Sequence, residues 1–289
     1  MNRAAPPSGL LTVQAALLQG TEIFTKAGVA VPRLTAEVLL CHAMRCERPY
    51  LYAHGDDELT ELAWIHYGRY LNERLKGKPT QYITHRQEFY GRDFYVDSQV
   101  LIPRPETELL VEAALGHLKQ CDASATVLDV GTGSGAIAIS ISVESGRDVL
   151  GSDISLPALT IAERNRQTHN ARVRFFSADL LEGVAPRSID LLVSNPPYVS
   201  RAEQSAMQRE VQDWEPHLAL FAEDDGFEIY RRLIAGAATA LRPQGRVLLE
   251  LGHQSLHRVR DMLAASWSEV SVIADLAGVP RVIGATLLH

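Results

Sequence analysis

The sequence predicts an α/β protein in which a mainly parallel sheet is covered by helices and preceded by a small all-helical region and a β-hairpin linker. Three observations predict this fold. Residues up to about 77 show only helical spacing of apolar residues, residues 80–100 are rich in strand-favouring types, and from residue 125 short apolar strands alternate with helices. We place the boundaries at 1–78, 79–100 and 101–289.

The N-terminal region predicts three helices. Two are indicated by residues at helical spacing: Val13, Leu17, Gly20 and Phe24 before a stop at Gly28, and Trp64, Tyr67, Leu71 and Leu75 between Thr60 and Gly77. Another is expected over Thr35–Met44, with Thr35 as its N-cap. Residues 1–80 hold nine Lys and Arg against eight Asp and Glu, whereas the remainder holds 19 against 27. This difference in charge supports a boundary near Pro79.

Residues 80–100 change to a composition that favours strands. The strand-favouring residues are Tyr82, Ile83, Phe89, Tyr90, Phe94, Tyr95 and Val96. Gly91-Arg92-Asp93 is the predicted turn, so the segment is interpreted as a β-hairpin. A proline-stiffened loop, Leu101–Glu108, then leads into a helix expected over Leu109–Lys119.

The remaining sequence predicts the sheet. Strands are expected at Thr126–Val130, Asp148–Ser152, Val173–Phe176, Asp190–Ser194 and Arg246–Leu251, with helices such as Pro157–Asn165 and Gly226–Ala240 between them. Such alternation is typical of a parallel sheet covered on both faces. Glu269–Ala274 and Arg281–Leu288 have no convincing helix between them, so they are expected to close the sheet antiparallel.

A glycine-rich turn follows the first sheet strand. Val127–Ala136 contains the turn Gly131-Thr132-Gly133-Ser134-Gly135, which opens a helix. Glycine is needed where the backbone turns tightly and lies against a ligand. Asp153, at the end of the next strand, can accept both hydroxyl hydrogens of a ribose. By themselves these features also match the nicotinamide-dinucleotide fingerprint, or a glycine turn with no ligand.

Three further positions bear on the ligand. Asp129, two residues before the first glycine, favours S-adenosylmethionine, because a carboxylate suits a cationic sulfonium and ammonium and suits a pyrophosphate badly. Asp179, after the third strand, is expected to accept from the adenine amino group, while the Leu180 backbone N–H donates to the ring. Asp179 alone is equally typical of a turn or a helix cap.

The tetrapeptide Asn195-Pro196-Pro197-Tyr198 directly follows the fourth strand, at the sheet edge where α/β folds bind ligands. An amide nitrogen is a poor nucleophile because its lone pair is delocalised. Two acceptors, the Asn195 side-chain oxygen and the Pro196 carbonyl, would bias its geometry toward a pyramid, and the prolines hold them rigidly. Tyr198 offers an aromatic face to a planar substrate group. Methyl transfer to this nitrogen requires no strong general base. The alternative interpretation of the tetrapeptide is an ordinary turn without a catalytic role.

With these motifs the sequence resembles the protein-(glutamine-N5) methyltransferases that modify class 1 peptide chain release factors. The likeness runs from about residue 35 to the C-terminus. Before the tetrapeptide, the matching stretches are Pro79, Gln81–Ile83, Glu88-Phe89, Leu101–Glu108 and the glycine turn. Later they are Asn195–Val199, Glu215-Pro216, Ala219-Leu220, Asp225-Gly226, Leu249–Gly252, Asp275–Gly278 and Pro280–Val282.

The resemblance implies a helical substrate-docking domain, a hairpin linker and a Rossmann-like, seven-stranded class I methyltransferase sheet. S-adenosylmethionine would be the cofactor and S-adenosylhomocysteine its product. The residues implied to line the cofactor are Asp129, Gly131, Thr132, Gly133, Ser134, Gly135, Asp153, Asp179, Leu180 and Asn195. Asn195, Pro196, Pro197 and Tyr198 would bind the glutamine of the release factor's Gly-Gly-Gln loop, with Asn195, Pro196 and Tyr198 as catalytic residues.

Two stretches distinguish this chain within that resemblance. Pro103–Glu108, the sequence Pro-Arg-Pro-Glu-Thr-Glu, separates it from the related ribosomal-protein glutamine methyltransferases, which usually carry a Pro-Arg-Ser-Pro type segment there. His85 follows Tyr82-Ile83-Thr84 where the family usually has Gly, and this departure bears on the geometry of the hairpin.

Other functional classes fit less well. A net charge of −7 and the absence of a basic, aromatic-rich segment disfavour an adenine N6 or guanine N2 methyltransferase. Asp129 and the tetrapeptide disfavour a dehydrogenase, and a non-catalytic cofactor-binding protein remains an alternative. Cys41, Cys46 and Cys121 form no CxxC pair, which favours a reducing compartment. We therefore expect a cytoplasmic monomer with no metal site and no direct contact with nucleic acid or membrane.

Overall fold

The structure is a computed structural model that describes residues 11–199, 209–222, 225–263 and 266–289. Within these residues the chain divides into two units. One unit comprises the described residues up to His85 together with Arg209–Trp214, and the other comprises the remaining described residues. The chain therefore returns to the first unit once, after the segment that carries the tetrapeptide.

Helices form the first unit. They are α1 Val13–Lys26, α2 Pro32–Met44, α3 Arg48–Ala53, α4 Glu61–Leu75, α5 Thr80–Thr84 and α9 Arg209–Trp214. The Thr12 and Thr60 hydroxyls cap α1 and α4 by accepting backbone N–H bonds. The buried side chain of Arg74 on α4 forms an ion pair with Glu210 on α9, which fixes α9 within this unit.

The predicted helices of this unit are confirmed, with two corrections. Helix α2 begins at Pro32 and Thr35 lies in its first turn, where its hydroxyl donates to the Val31 carbonyl and caps nothing. Proline at the first position suits a helix start because it has no N–H to satisfy. In α4, Trp64 and Leu75 are 37% and 44% exposed, so they do not belong to the buried face that contains Tyr67.

The β-hairpin is confirmed over a shorter range than predicted. Its strands are β1 Gln87–Phe89 and β2 Arg92–Phe94, and Tyr90-Gly91, both at positive φ, form the turn. The turn therefore lies one residue earlier than predicted. Tyr82 and Ile83, which were predicted to favour a strand, lie in helix α5. The prediction was wrong because a short run of β-favouring residues does not exclude a helix.

The structure explains why the family usually has glycine at the position of His85. It ends α5 in the left-handed conformation, with φ 55° and ψ 33°. Glycine adopts this conformation at the end of a helix without steric cost, whereas other residues pay about 1–2 kcal/mol. The geometry that favours glycine is thus kept here by a histidine.

The predicted sheet is confirmed in the second unit. Its strands are β3 Val127–Val130, β4 Val149–Asp153, β5 Val173–Ser177, β6 Ile189–Ser194, β7 Leu241–Glu250, β8 Trp267–Ala274 and β9 Pro280–Leu287. Among the described residues they form one seven-stranded sheet in the order β5-β4-β3-β6-β7-β9-β8. The first five strands are parallel, and β9 pairs antiparallel with both β7 and β8, as expected.

Helices cover both faces of this sheet, which confirms the α/β class. The helices of this unit are α6 Glu108–Leu118, α7 Ala136–Ser145, α8 Leu156–Thr168, α10 His217–Leu220, α11 Glu228–Ala240 and α12 Leu256–Met262. One apolar core includes Leu110 and Ile139, and a second includes Tyr230 and Leu233. Among the described residues, every helix is too short or too polar to cross a membrane.

Candidate active site

The strand order reverses between β3 and β6, and open α/β sheets bind ligands at such a point, beyond the carboxyl ends of the strands. Val130 of β3 pairs with Ser194 of β6, and the Ser194 hydroxyl donates to the Val130 carbonyl over 2.7 Å. The glycine turn and the tetrapeptide therefore start side by side.

The glycine turn has the backbone that the sequence predicts. Gly131, Gly133 and Gly135 have φ values of +73°, +55° and +81°. A Cβ added at Gly131 or Gly133 would meet no atom within 4 Å, so the space beside this backbone is open. A Cβ at Gly135 would lie 2.9 Å from Ile139 Cδ1, so that glycine is required for packing instead.

Asp129 lies fully buried beneath the turn. Its Oδ2 accepts the Thr132 hydroxyl over 2.6 Å and the Ala138 backbone N–H over 3.2 Å. Its Oδ1 has no hydrogen-bond partner within the described ranges. Burial raises the pKa of Asp129 to about 7, and the nearby charge of Asp153 adds to that rise. A nearby cation would stabilise the ionised carboxylate.

Asp153 supports the turn from the end of β4. Its Oδ2 accepts the Gly133 N–H and its Oδ1 accepts the Ser155 N–H, each over 2.9 Å. Burial raises the pKa of Asp153 above its usual value. Each carboxylate oxygen has a further lone pair, so both ribose hydroxyls can still be accepted.

Asp179 and Leu180 follow β5. The Asp179 carboxylate accepts a hydrogen bond from the Arg232 guanidinium over 2.6 Å in a half-exposed ion pair. Leu180 has a φ of 53°, which is uncommon for a residue with a side chain. Their contacts with adenine stay predictions, and Arg232 would share the carboxylate with the adenine amino group.

The tetrapeptide is held by its neighbours. Asn195 Nδ2 donates to the Thr107 hydroxyl over 3.2 Å, and no described residue donates a hydrogen bond to Asn195 Oδ1. Pro196 is buried. The Tyr198 ring lies directly against Gly252, where an added Cβ would come within 2.6 Å of Cδ2. Burial raises the pKa of Tyr198 to about 12, so its hydroxyl is neutral at physiological pH.

Three buried residues lie near this edge, and sequence reasoning assigned no role to two of them, Thr107 and Glu250. Glu215 accepts from the Ile102 backbone N–H and forms an ion pair with Arg104, so it fixes the Pro-Arg-Pro-Glu-Thr-Glu segment. Thr107 contacts Asn195, and Glu250 ends β7 with 4% of its surface exposed. A charged residue that ends an apolar strand was the available sequence signal for Glu250.

Comparison with known proteins identifies the family. Residues 15–84 match the family model described as PrmC N-terminal domain, and residues 106–219 match the methyltransferase small domain. A release factor glutamine methyltransferase of Koribacter versatilis (strain Ellin345) is 42% identical over 94% of this chain and 98% of its own length. The chain belongs to the release factor glutamine methyltransferase family. A member from Chlorobaculum tepidum is 40% identical over 87% of this chain and 89% of its own length.

Solved structures show that this release factor glutamine methyltransferase family member has a methyltransferase fold. A methyltransferase from Pyrococcus furiosus superposes with a TM-score of 0.51 at 19% identity, covering 70% of this chain and 91% of its own. At that identity the likeness concerns the fold alone.

The residues at the sheet edge fit S-adenosylmethionine, which is the cofactor of this enzyme and supplies an electrophilic methyl group on a sulfonium. Open space lies beside Gly131 and Gly133, where side chains would project. The unpartnered, buried Asp129 Oδ1 suits a cationic ligand, and Asp153 suits a ribose. A pyrophosphate would instead meet two carboxylates.

Proposed function

We propose that this chain methylates the side-chain amide nitrogen of the glutamine in the Gly-Gly-Gln loop of class 1 peptide chain release factors. One observation supports an amide as the substrate group. Asn195 donates its Nδ2 hydrogen to Thr107, so its Oδ1 is the atom left to accept from a ligand. An acceptor held in this way beside the glycine turn suits an N–H group that must be oriented for methyl transfer.

The tetrapeptide would supply orientation and polarity. Asn195 Oδ1 and the Pro196 carbonyl would accept the two N–H bonds of the glutamine amide and direct its lone pair toward the methyl group. The ring of Tyr198, fixed against Gly252, would pack against the planar amide. Pro197 would keep the loop rigid. The methylated nitrogen sheds its proton without a strong base.

The cofactor contacts are proposed for Asp129, Thr132, Ser134 and Asn195 as well as for the glycines of the turn. Thr132 and Ser134 are themselves buried. Asn165 on α8 supports the turn by donating to the Ser134 carbonyl over 2.9 Å. These contacts hold the backbone in a fixed shape that a cofactor can meet without reorganisation.

The proposed activity is tested by methyl transfer to purified release factor. We expect the labelled methyl group on one glutamine, located by mass spectrometry, and no labelling of a release factor in which that glutamine is replaced by alanine. Ribosomal protein and nucleic acid, offered at equal concentration, are the control substrates and should remain unlabelled. Labelling of either control in preference to the release factor would contradict the proposal.

We also propose that residues 1–78 dock the protein substrate, that 79–100 act as a linker and that 101–289 hold the chemistry. A fragment of residues 79–289 is expected to bind S-adenosylmethionine and to methylate a short Gly-Gly-Gln peptide, yet to methylate intact release factor poorly. The peptide serves as the internal control, because the fragment also lacks Arg74, the partner of Glu210. Equal rates of the fragment and the full chain on intact release factor would refute the docking role.

The enzyme is further proposed to be a cytoplasmic monomer that does not bind nucleic acid directly. Its cysteines, Cys41, Cys46 and Cys121, are all free thiols, which supports a reducing compartment. Light scattering of the purified chain measures its mass in solution and so tests the proposed monomeric state. The mass of a dimer would contradict the proposal.

A further inference from the structure

The turn between β8 and β9, residues 275–279, presents an apolar side chain to solvent. Leu276 in this turn has a relative exposure of 110%, against at most 65% for any other large apolar side chain of the described residues. Turns usually carry glycine, proline or short polar residues. A leucine stabilises a fold through the apolar area that it buries, and Leu276 buries almost none. Its presence at the tip therefore has no explanation in folding.

Asp275 holds this turn in a defined shape. Its Oδ1 accepts the backbone N–H groups of Ala277 and Val279 over 2.9 and 3.0 Å. The Asp275 N–H donates to the Val279 carbonyl, and the Gly278 N–H donates to the Asp275 carbonyl, each over 2.9 Å. Gly278 supplies the positive φ, +79°, that the turn requires. A leucine on such a preformed turn costs little ordering entropy when a partner contacts it.

The turn lies at the same sheet edge as the tetrapeptide. Strand β9 runs antiparallel to β7, so the turn before β9 lies beyond the carboxyl end of β7, where the Leu251 N–H donates to the Arg281 carbonyl over 2.7 Å. The tetrapeptide leaves the end of β6, whose last residue, Ser194, pairs with Leu249 of β7. Since β7 separates β6 from β9, the two strands lie about 9–10 Å apart.

Arg281 joins the turn to this edge. Its Nε donates to Asp275 Oδ2 over 2.8 Å, and its Nη2 lies 4.0 Å from Glu106 Oε1 in the Pro-Arg-Pro-Glu-Thr-Glu segment. The same segment contains Thr107, whose hydroxyl accepts the Asn195 Nδ2 hydrogen. The turn and the tetrapeptide are therefore anchored to the same segment.

We propose that Leu276 contacts an apolar side chain of the release factor outside the Gly-Gly-Gln loop and so helps to bring the glutamine to Asn195. This inference rests on the proposed function, because it assumes that the glutamine is held at the tetrapeptide. The position of the turn identifies the occupant, since a protein substrate must cover this sheet edge for its glutamine to reach Asn195. The glutamine is held at the tetrapeptide and glycine has no side chain, so the apolar partner lies in the surface that flanks the loop.

The first test separates binding of the intact protein from the chemistry. Leu276→Ala is expected to raise the KM for release factor about tenfold, because burial of a leucine side chain contributes at this level, while kcat should change little. Leu276→Met keeps an apolar side chain of similar volume and should remain near wild type. A short Gly-Gly-Gln peptide lacks the flanking surface, so its kcat/KM should be the same for both variants and the wild type.

The second test measures affinity without turnover. Titration calorimetry with S-adenosylhomocysteine and a release factor whose glutamine is replaced by alanine should show binding about tenfold weaker for Leu276→Ala. The matched control is Val143→Ala, which shortens an exposed apolar side chain near the end of α7 that lies away from the glycine turn, and its affinity should equal that of wild type. Both substitutions are at exposed positions, so thermal melting should be unchanged.

The outcomes separate this inference from the proposed function. An unchanged KM for release factor in Leu276→Ala, an equal loss with the peptide, or a Leu276→Met enzyme as impaired as Leu276→Ala would overturn the contact, while a crippled Asn195→Ala enzyme left the proposed function standing. A wild-type dimer that Leu276→Ala converts to a monomer would assign the leucine to a second copy of the chain and overturn the contact as well. Failure of the wild type to methylate release factor would overturn the proposed function, and the contact with it.

Discussion

Asn195→Ala is expected to lower the rate of methyl transfer about 100- to 1000-fold, because removing one preorganised polar partner at a reacting centre typically costs about 2.7–4 kcal/mol. Most of the loss should appear in kcat, since the hydrogen bond strengthens as the nitrogen becomes pyramidal. The Pro196 carbonyl cannot replace the lost acceptor, because the following proline stiffens the loop. Single-turnover rates at saturating cofactor measure the effect.

Asn195→Asp is the matched comparison. An aspartate keeps an acceptor for the substrate N–H but cannot donate to Thr107 as the asparagine does. It should therefore fall between wild type and Asn195→Ala. Calorimetry with S-adenosylmethionine shows whether the variants are folded. A turnover of Asn195→Ala within a few-fold of wild type would mean that the tetrapeptide is only a structural turn.

Asp153→Ala is expected to weaken S-adenosylmethionine binding roughly ten- to a hundredfold, the loss of about 1.5–3 kcal/mol from a charged acceptor. The structure adds a second cause, since Asp153 also accepts the Gly133 N–H and so helps to hold the turn. Asp153→Asn retains one oxygen and should lose less affinity. Titration calorimetry without release factor measures both variants. Tight binding of NADH with none of S-adenosylmethionine would instead overturn the choice of cofactor.

The sheet was predictable because its strands are apolar runs separated by amphipathic helices. Ser194 and Val130 lie side by side as the strand alternation implies. The errors lie where local propensity is ambiguous. Thr35 is a good capping residue, but the helix already begins at Pro32. Tyr82 favours strands but lies in a short helix. Only tertiary packing decides such cases.

The candidate site was predictable only in part. The glycine turn, Asp153 and the tetrapeptide lie at strand ends, where short motifs reveal them. The contact of Asn195 with Thr107 joins residues 88 positions apart, so no local pattern predicts it. Asp129 shows the same limit, because the sequence indicates a carboxylate beside the cofactor but not that Thr132 and Ala138 occupy one of its oxygens.

The return of the chain to its helical unit through α9 restricts how that unit can be exchanged between relatives. Recombination at a single junction near His85 would transplant α4 without Glu210, and the buried guanidinium of Arg74 would then face whatever residue the recipient supplies. A functional hybrid must therefore carry two inserts from the same parent, the segment before Arg86 and Arg209–Trp214. Inheritance of the helical unit is thus linked to that of helix α9.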